Sequence, residues 1–137
     1  MFEYIEFVIC YGEGLTPDLV KEKTRKASIM FARQLVMYFC KEHKIGTLQV
    51  IGDNYGLDHA TVLHAIRVIE NYLELDKRKR IKIEYYRKII DKVIKLAEKG
   101  NDIKEKLRPL EKQISELETR VINLSVQLMF LKSELNK

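Results

Sequence analysis

The sequence predicts an all-α fold: a helix-turn-helix helical bundle followed by a helical hairpin and coiled coil. Three observations predict it. Apolar residues recur at three- and four-residue spacing along most of the chain, the period of an amphipathic helix rather than of a strand. The 137 residues hold only two prolines and six glycines, so helix breakers are few and connections short. From Ile103 to Leu135 the pattern tightens into an unbroken 4-3 alternation, the mark of a coiled-coil seam. A chain of this length is one domain, or one small domain with an appendage. The expected division is residues 1–80 and 81–137.

Taken in order, Glu3 to Tyr11 is a short apolar segment expected as a helix, ended by Gly12-Glu13-Gly14. Thr16-Pro17-Asp18 is a helix start, with Thr16 as N-cap, Pro17 at the first helical position and an acid in the first turn. The helix is brief and gives way to a basic loop, Lys21 to Lys26. A long helix is expected from Lys26 to His43. Ile29, Ala32, Val36 and Phe39 form one face, and Met30, Phe31, Leu35, Met37, Tyr38 and Cys40 widen it until few faces remain polar. Such a helix is central to its domain. Arg33 and Gln34 interrupt it; Arg33 either snorkels from a buried face or points at a phosphate.

After Gly46, two short apolar-periodic segments flank a turn at Gly56-Leu57. Leu48, Ile51 and Tyr55 mark the first; Val62, Ile66, Ile69 and Leu73 mark the second, which runs to about Leu75. Thr47 and Asp58 stand where N-caps belong. Two helices joined by a few residues that include Gly read as a helix-turn-helix. The second helix opens with His59, Ala60 and Thr61, small or polar groups of the kind that reach base edges at the tip of a recognition helix.

Asp76 to Arg80 then breaks the periodicity with a cationic run, either a phosphate-binding extension or a solvated hinge. Ile83, Tyr86, Ile90, Val93 and Ala97 resume helical spacing over 82–98, and Gly100-Asn101-Asp102 is expected to close that helix and cap the next. In the final stretch, Leu107, Ile114, Val121, Leu128 and Leu135 occupy the a positions of a heptad, and Ile103, Leu110, Leu117, Leu124 and Leu131 the d positions. Two β-branched a residues with Leu at nearly every d favour a parallel two-stranded coil. Pro109 should kink the helix or mark its true start. The seam could fold back on helix 82–98 as a hairpin, or pair two chains. It is longer than the shorter helix can cover, so a homodimer through residues 103–135 is expected.

Charge adds to this. The net charge is +5, but residues 1–20 carry four acids and no Lys or Arg, and residues 45–76 five acids and one base, Arg67. Residues 21–44 carry seven bases against two acids, and residues 77–99 ten against three. Basic blocks thus flank the helix-turn-helix, as phosphate contacts on either side of a groove-inserted helix require; the alternative is a solvated lysine-rich surface. No apolar run approaches the ~20 residues of a membrane span, and the acidic N-terminus is not a secretory signal. A cytoplasmic, nucleoid-associated protein is expected, with Cys10 and Cys40 as buried free thiols.

His59 and His64, with Asp58 beside them, invite a metal reading. They lie about 140° apart around a helix, whereas a helical zinc pair sits at i and i+4. No nucleophile-base-acid constellation stands out. No metal, cofactor or catalytic activity is expected. Tyr85-Tyr86 either packs in the core or stacks on nucleic acid.

The order and spacing of several blocks carry more than a generic motif. These are Thr24-Arg25-Lys26; Ala32-Arg33-Gln34-Leu35 with Met37-Tyr38; Ile51-Gly52-Asp53 with Tyr55-Gly56; and Asp58-His59-Ala60-Thr61-Val62-Leu63-His64-Ala65. Over about residues 8–80 the chain resembles the C-terminal DNA-binding domain of the bacterial replication initiator DnaA. The resemblance implies that Arg25, with Lys26 beside it, enters a minor groove. It implies that Asp58, His59, Ala60 and Thr61 face bases in the major groove, and that Arg33, Gln34, Lys41 and His64 lie near phosphates. An arginine suits the negative potential of a narrow A·T-rich minor groove, and the Thr61 methyl can meet a thymine methyl. The chain departs from the family at Ala60, where Thr is frequent, and at Gly56-Leu57, a turn one residue shorter and uncharged. No G-x-x-x-x-G-K-[ST] motif occurs, so no nucleotide cofactor is expected. The expected function is sequence-specific binding of double-stranded DNA at initiator-box-like sites, in replication or transcription regulation. The rival is an adaptor whose coiled coil recruits a partner protein.

Overall fold

Why these residues make these elements is visible in the caps. The computed structural model describes residues 1–136. Its helices are α1 (Phe2–Glu13), α2 (Pro17–Lys21), α3 (Ala27–Glu42), α4 (Leu48–Asp53), α5 (His59–Leu75) and α6 (Lys77–Leu135), with no strand among the described residues. α1 ends at Gly14, whose φ of 68° is left-handed, and the Leu15 N–H donates back to the Cys10 carbonyl at 2.9 Å. α2 starts as its sequence demands: Thr16 Oγ1 accepts from the Leu19 N–H at 3.3 Å and Pro17 takes the first turn. Thr47 Oγ1 caps α4 by accepting from the Val50 N–H at 3.2 Å.

The chain divides into two compact units, Met1–Ala97 and Glu98–Lys137. In the first, α3 is the centre, and α1, α2, α4 and α5 pack on it. Ala32, Leu35, Val36, Phe39 and Cys40 are fully buried, together with Ile5 and Ile9 of α1, Ile51 of α4 and Val62 and Ile69 of α5. Each large side chain removed from water in this way contributes about 1.5–3 kcal/mol before the entropy of ordering is counted. Burial pushes the Cys10 thiol up to about 11 and the Cys40 thiol up to about 12, and both are free. Among the described residues the acidic side chain of Glu6 lies inside, only 4% exposed. Tyr55 donates its hydroxyl proton to Glu6 Oε2 at 2.7 Å, and Lys21 Nζ stands 4.0 Å from Oε1. Burial first, and that bond second, push the Tyr55 phenol well above its ordinary range.

Three expectations are corrected. The first unit does not end at residue 80. It extends to Ala97, because Ile83, Tyr86, Ile90 and Ile94 of α6 are buried on the bundle. Approach there is close: a Cβ on Gly12 would lie 2.4 Å from the Tyr86 hydroxyl. Lys82 bonds Glu13 at 2.8 Å, Arg87 pairs with Glu42 at 2.9 Å and donates to the Tyr38 hydroxyl at 2.7 Å, and His43 Nε2 faces Asp91 Oδ1 at 3.2 Å. Second, the cationic run does not interrupt the helical structure but forms the first turn of α6. Only Asp76 breaks the helices, and its Oδ1 caps α6 by accepting from the Lys79 N–H at 3.1 Å. Arg80 donates to the last carbonyls of α5, Leu73 at 2.5 Å and Glu74 at 2.9 Å. Lys79 Nζ lies 3.7 Å from the centre of the Tyr72 ring. Two of the bases therefore fasten α5 to α6.

Third, the helix expected to close at Gly100 does not close there. α6 continues through Gly100 and Pro109. A glycine inside a helix costs only about 1 kcal/mol against Ala. Pro109 leaves the Glu105 carbonyl without its helical donor, but propagation on both sides adds one bond per residue fixed. In the second unit, taken by itself, the seam residues from Ile103 to Leu135 are 44% to 84% exposed.

Candidate nucleic-acid interface

The candidate interface is built on α4, the turn after it, and α5. Glycine at position 52 is a packing requirement. A Cβ there would meet the Leu57 carbonyl oxygen at 2.4 Å, and the Leu57 N–H donates to the Gly52 carbonyl at 3.0 Å. The chain reverses through Gly56, at φ 65°. Asn54 Nδ2 donates to the Val50 and Ile51 carbonyls at 3.1 and 3.2 Å, closing the end of α4. The short uncharged turn is therefore held by backbone contact.

Asp58 caps α5 twice over. Its Oδ1 accepts from the Thr61 N–H at 2.8 Å and from the Thr61 hydroxyl at 2.6 Å. Those bonds, the hydroxyl's first, hold its carboxyl below the usual range, so it is an anion at neutral pH. The Thr61 proton is committed to the cap, and Thr61 offers outward its methyl and acceptor lone pairs. At 100° per residue, Val62, Ala65, Ile66 and Ile69 fall on one arc of α5 and are buried. Ala60, Leu63, His64 and Arg67 fall on the opposite arc, with His59 at its edge beside Ile66, and all five are exposed. Leu63 and Arg67 are not among the residues to which the resemblance gives a DNA contact. The period of the helix carried the signal, since both continue the face begun by His59 and Ala60. Exposed Val50 adds an apolar group on α4.

The other predicted residues lie on α3 and the loop before it. Arg25 and Lys26 are exposed between α2 and α3, and the Lys26 N–H donates to Thr24 Oγ1 at 3.2 Å. Arg33 is half-buried and turned inward: Nε donates to the Val20 carbonyl at 2.9 Å and Nη2 to the Glu22 carbonyl at 2.5 Å. It thereby supplies cationic donors to carbonyls at the end of α2, which a helix of five residues cannot satisfy itself. Arg33 positions the loop that carries Arg25. Gln34 and Lys41 share a face of α3, half-buried and exposed respectively. Tyr86 is core and Tyr85 is 62% exposed, so the tyrosine pair divides its roles. Among the described residues no group of three or more His, Cys, Asp or Glu could hold a metal ion. No helix among them is long and apolar enough to cross a membrane.

A capped helix, a glycine-locked turn and a second helix with a polar exposed tip define a helix-turn-helix domain, the class that lays its second helix in the major groove of DNA. Residues 2–69 match the family model of the bacterial dnaA protein helix-turn-helix. This part of the chain is a DNA-binding domain of that family. The match begins with α1 and ends within α5, against the 8–80 of the motif resemblance.

Relatives agree. The chromosomal replication initiator protein DnaA of Chlorobaculum tepidum is 37% identical over 90 residues, 65% of this chain. That of Flavobacterium psychrophilum is 35% identical over 94 residues, 68% of this chain. That of Streptococcus agalactiae is 40% identical over 83 residues, 60% of this chain. The aligned part makes up 18% of each of these relatives.

Proposed function

We propose that this chain binds double-stranded DNA sequence-specifically, with α5 in the major groove and Arg25 in the adjacent minor groove, at sites resembling initiator boxes. The observation that carries the proposal is the division of α5 into a buried arc and an exposed one. One is locked into the core. The other offers His59, Ala60, Leu63, His64 and Arg67 to solvent, beginning at the tip from which such helices reach bases. Thr61 adds its methyl, and the Asp58 carboxylate serves first as a cap. Lys26, Gln34 and Lys41 approach phosphates, and Arg33 acts through the loop it fastens. The chain works as a parallel homodimer paired through residues 103–135, in the cytoplasm and on the nucleoid. It regulates replication or transcription by holding two sites or occluding them.

Fluorescence anisotropy with initiator-box and scrambled duplexes tests this. Tighter binding to the box is expected. Arg25→Ala and His59→Ala should each weaken it by about 1–3 kcal/mol and narrow the gap between the two duplexes. Equal affinities of the wild-type chain for both would sink the proposal.

A further inference from the structure

A further cavity lies away from the helix-turn-helix. It is an open groove of about 1000 Å³ within the first unit, walled by Tyr4, Phe7 and Tyr11 of α1 and by Tyr85, Ile89 and Val93 of α6. The aromatic rings are far from buried: Tyr4 is 50% exposed, Phe7 63%, Tyr11 82% and Tyr85 62%. Phe7 and Tyr11 stack on one another at 6.1 Å between centroids. Apolar side chains scattered singly on a surface need no explanation, but four large aromatics around one groove do.

We infer that this groove is the seat of a second copy of the chain, which makes the proposed dimer interface reach into the DNA-binding unit. The inference rests on the coiled-coil reading of residues 103–135 and extends it. The heptad supplies the first reason. Counting back from Ile103 at d, position a falls on Gly100, d on Leu96, a on Val93 and d on Ile89. Two of the groove's α6 wall residues therefore sit on the seam positions of the register, and Leu96 between them and Ile103 is 67% exposed. The interleaved residues Ile83, Ile90 and Ile94 are buried against the chain's own bundle. The next a position back, Tyr86, is buried in the bundle, so the stripe left for something outside the chain runs over half-buried Ile89 and Val93 and exposed Leu96.

The second reason is tethering. Leu96 precedes the first seam residue by seven positions. Once the seams pair in parallel, the grooves meet at an effective concentration far above that of free chains.

Disulfide trapping on the full chain tests this with two single variants, Ile89→Cys and Val121→Cys. Cys10 and Cys40 are 2% and 0% exposed and do not compete for the oxidant. Mild oxidation is expected to link both variants into dimers. A link at position 121 without one at 89 overturns the groove inference and leaves the coiled coil standing. A link at 89 alone supports the groove and refutes the seam, and no link at either refutes both. Tyr85→Asp and Phe7→Asp change exposed side chains and spare the core. Each should raise the dimer dissociation constant by about tenfold or more in sedimentation velocity. Unchanged constants in both variants contradict the inference.

Discussion

Tyr55→Phe removes one hydroxyl from the turn between α4 and α5 and leaves the ring. The ring still packs 5.9 Å from Phe2 and keeps the Arg33 guanidinium at 5.9 Å, so lost packing is negligible. What disappears is the donor to Glu6 Oε2, a 2.7 Å bond to a carboxylate that is 4% exposed. A hydrogen bond to a charged group is worth about 1.5–3 kcal/mol, and leaving a buried acceptor bare costs in the same range. Lys21 Nζ, 4.0 Å from the other oxygen and half-exposed, offsets part of this. A loss of about 2 kcal/mol is expected, which shifts a urea midpoint by about 1 M for m-values typical of small proteins. Helical circular dichroism reads the transition. Protein concentration must be held fixed, because the proposed dimerisation would add to the stability of the folded chain. The double variant Glu6→Leu/Tyr55→Phe removes both partners and should recover most of the loss. A Tyr55→Phe cost below about 0.5 kcal/mol, or a double variant worse than the single, would refute the assignment of this pair as the clamp between α1 and the helix-turn-helix.

Other expectations follow from the same geometry. Gly52→Ala puts a methyl 2.4 Å from the Leu57 carbonyl oxygen, so it should destabilise by about 1–3 kcal/mol in thermal unfolding; an unchanged midpoint contradicts the glycine lock. Arg33→Met should lower stability and DNA affinity while leaving the slope of log affinity against log salt unchanged. A slope shallower by about 0.9 would mean that Arg33 neutralises a phosphate after all. Because burial raises both thiols, to about 11 and about 12, Cys10 and Cys40 stay protonated at pH 8. They should react with iodoacetamide only as fast as the chain unfolds, and rapid labelling of the native protein would contradict their burial.

The helix starts were legible because their signals are local. Thr16, Thr47 and Asp58 each lie three residues before the N–H they accept, and Pro17 announces itself. The core face of α5 and the centrality of α3 were legible because burial follows the helical period. What could not be read depends on distant partners. Arg33 finds its carbonyls 11 and 13 residues away, and Tyr55 finds Glu6 across 49. No spacing rule separates an arginine that caps a neighbouring helix from one that awaits a phosphate. The break expected at Gly100 failed for another reason. Glycine marks a helix end only where the flanking residues do not insist on continuing, and here apolar periodicity runs on both sides. The charge run at 76–80 marks a change in charge density, not in burial. Ile83, Tyr86, Ile90 and Ile94 repeat at 3-4 spacing and belong to the first core.

The site followed the same division. The polar tip His59-Ala60-Thr61 was visible from its place after a cap, and the structure added Leu63 and Arg67 by completing the arc. That the Thr61 hydroxyl donates its proton to Asp58 depends on the rotamers of both side chains, which no residue spacing fixes.

Selection of bound duplexes from a random pool, with the full wild-type chain at physiological salt, tests the central claim most directly. A chain that reads bases through α5 and a minor groove through Arg25 enriches one motif, a major-groove core beside an A·T-rich step, and His59→Ala relaxes the preference within that core. A pool that stays random after repeated rounds, while still binding at low salt, would mean that the basic blocks hold DNA without reading it.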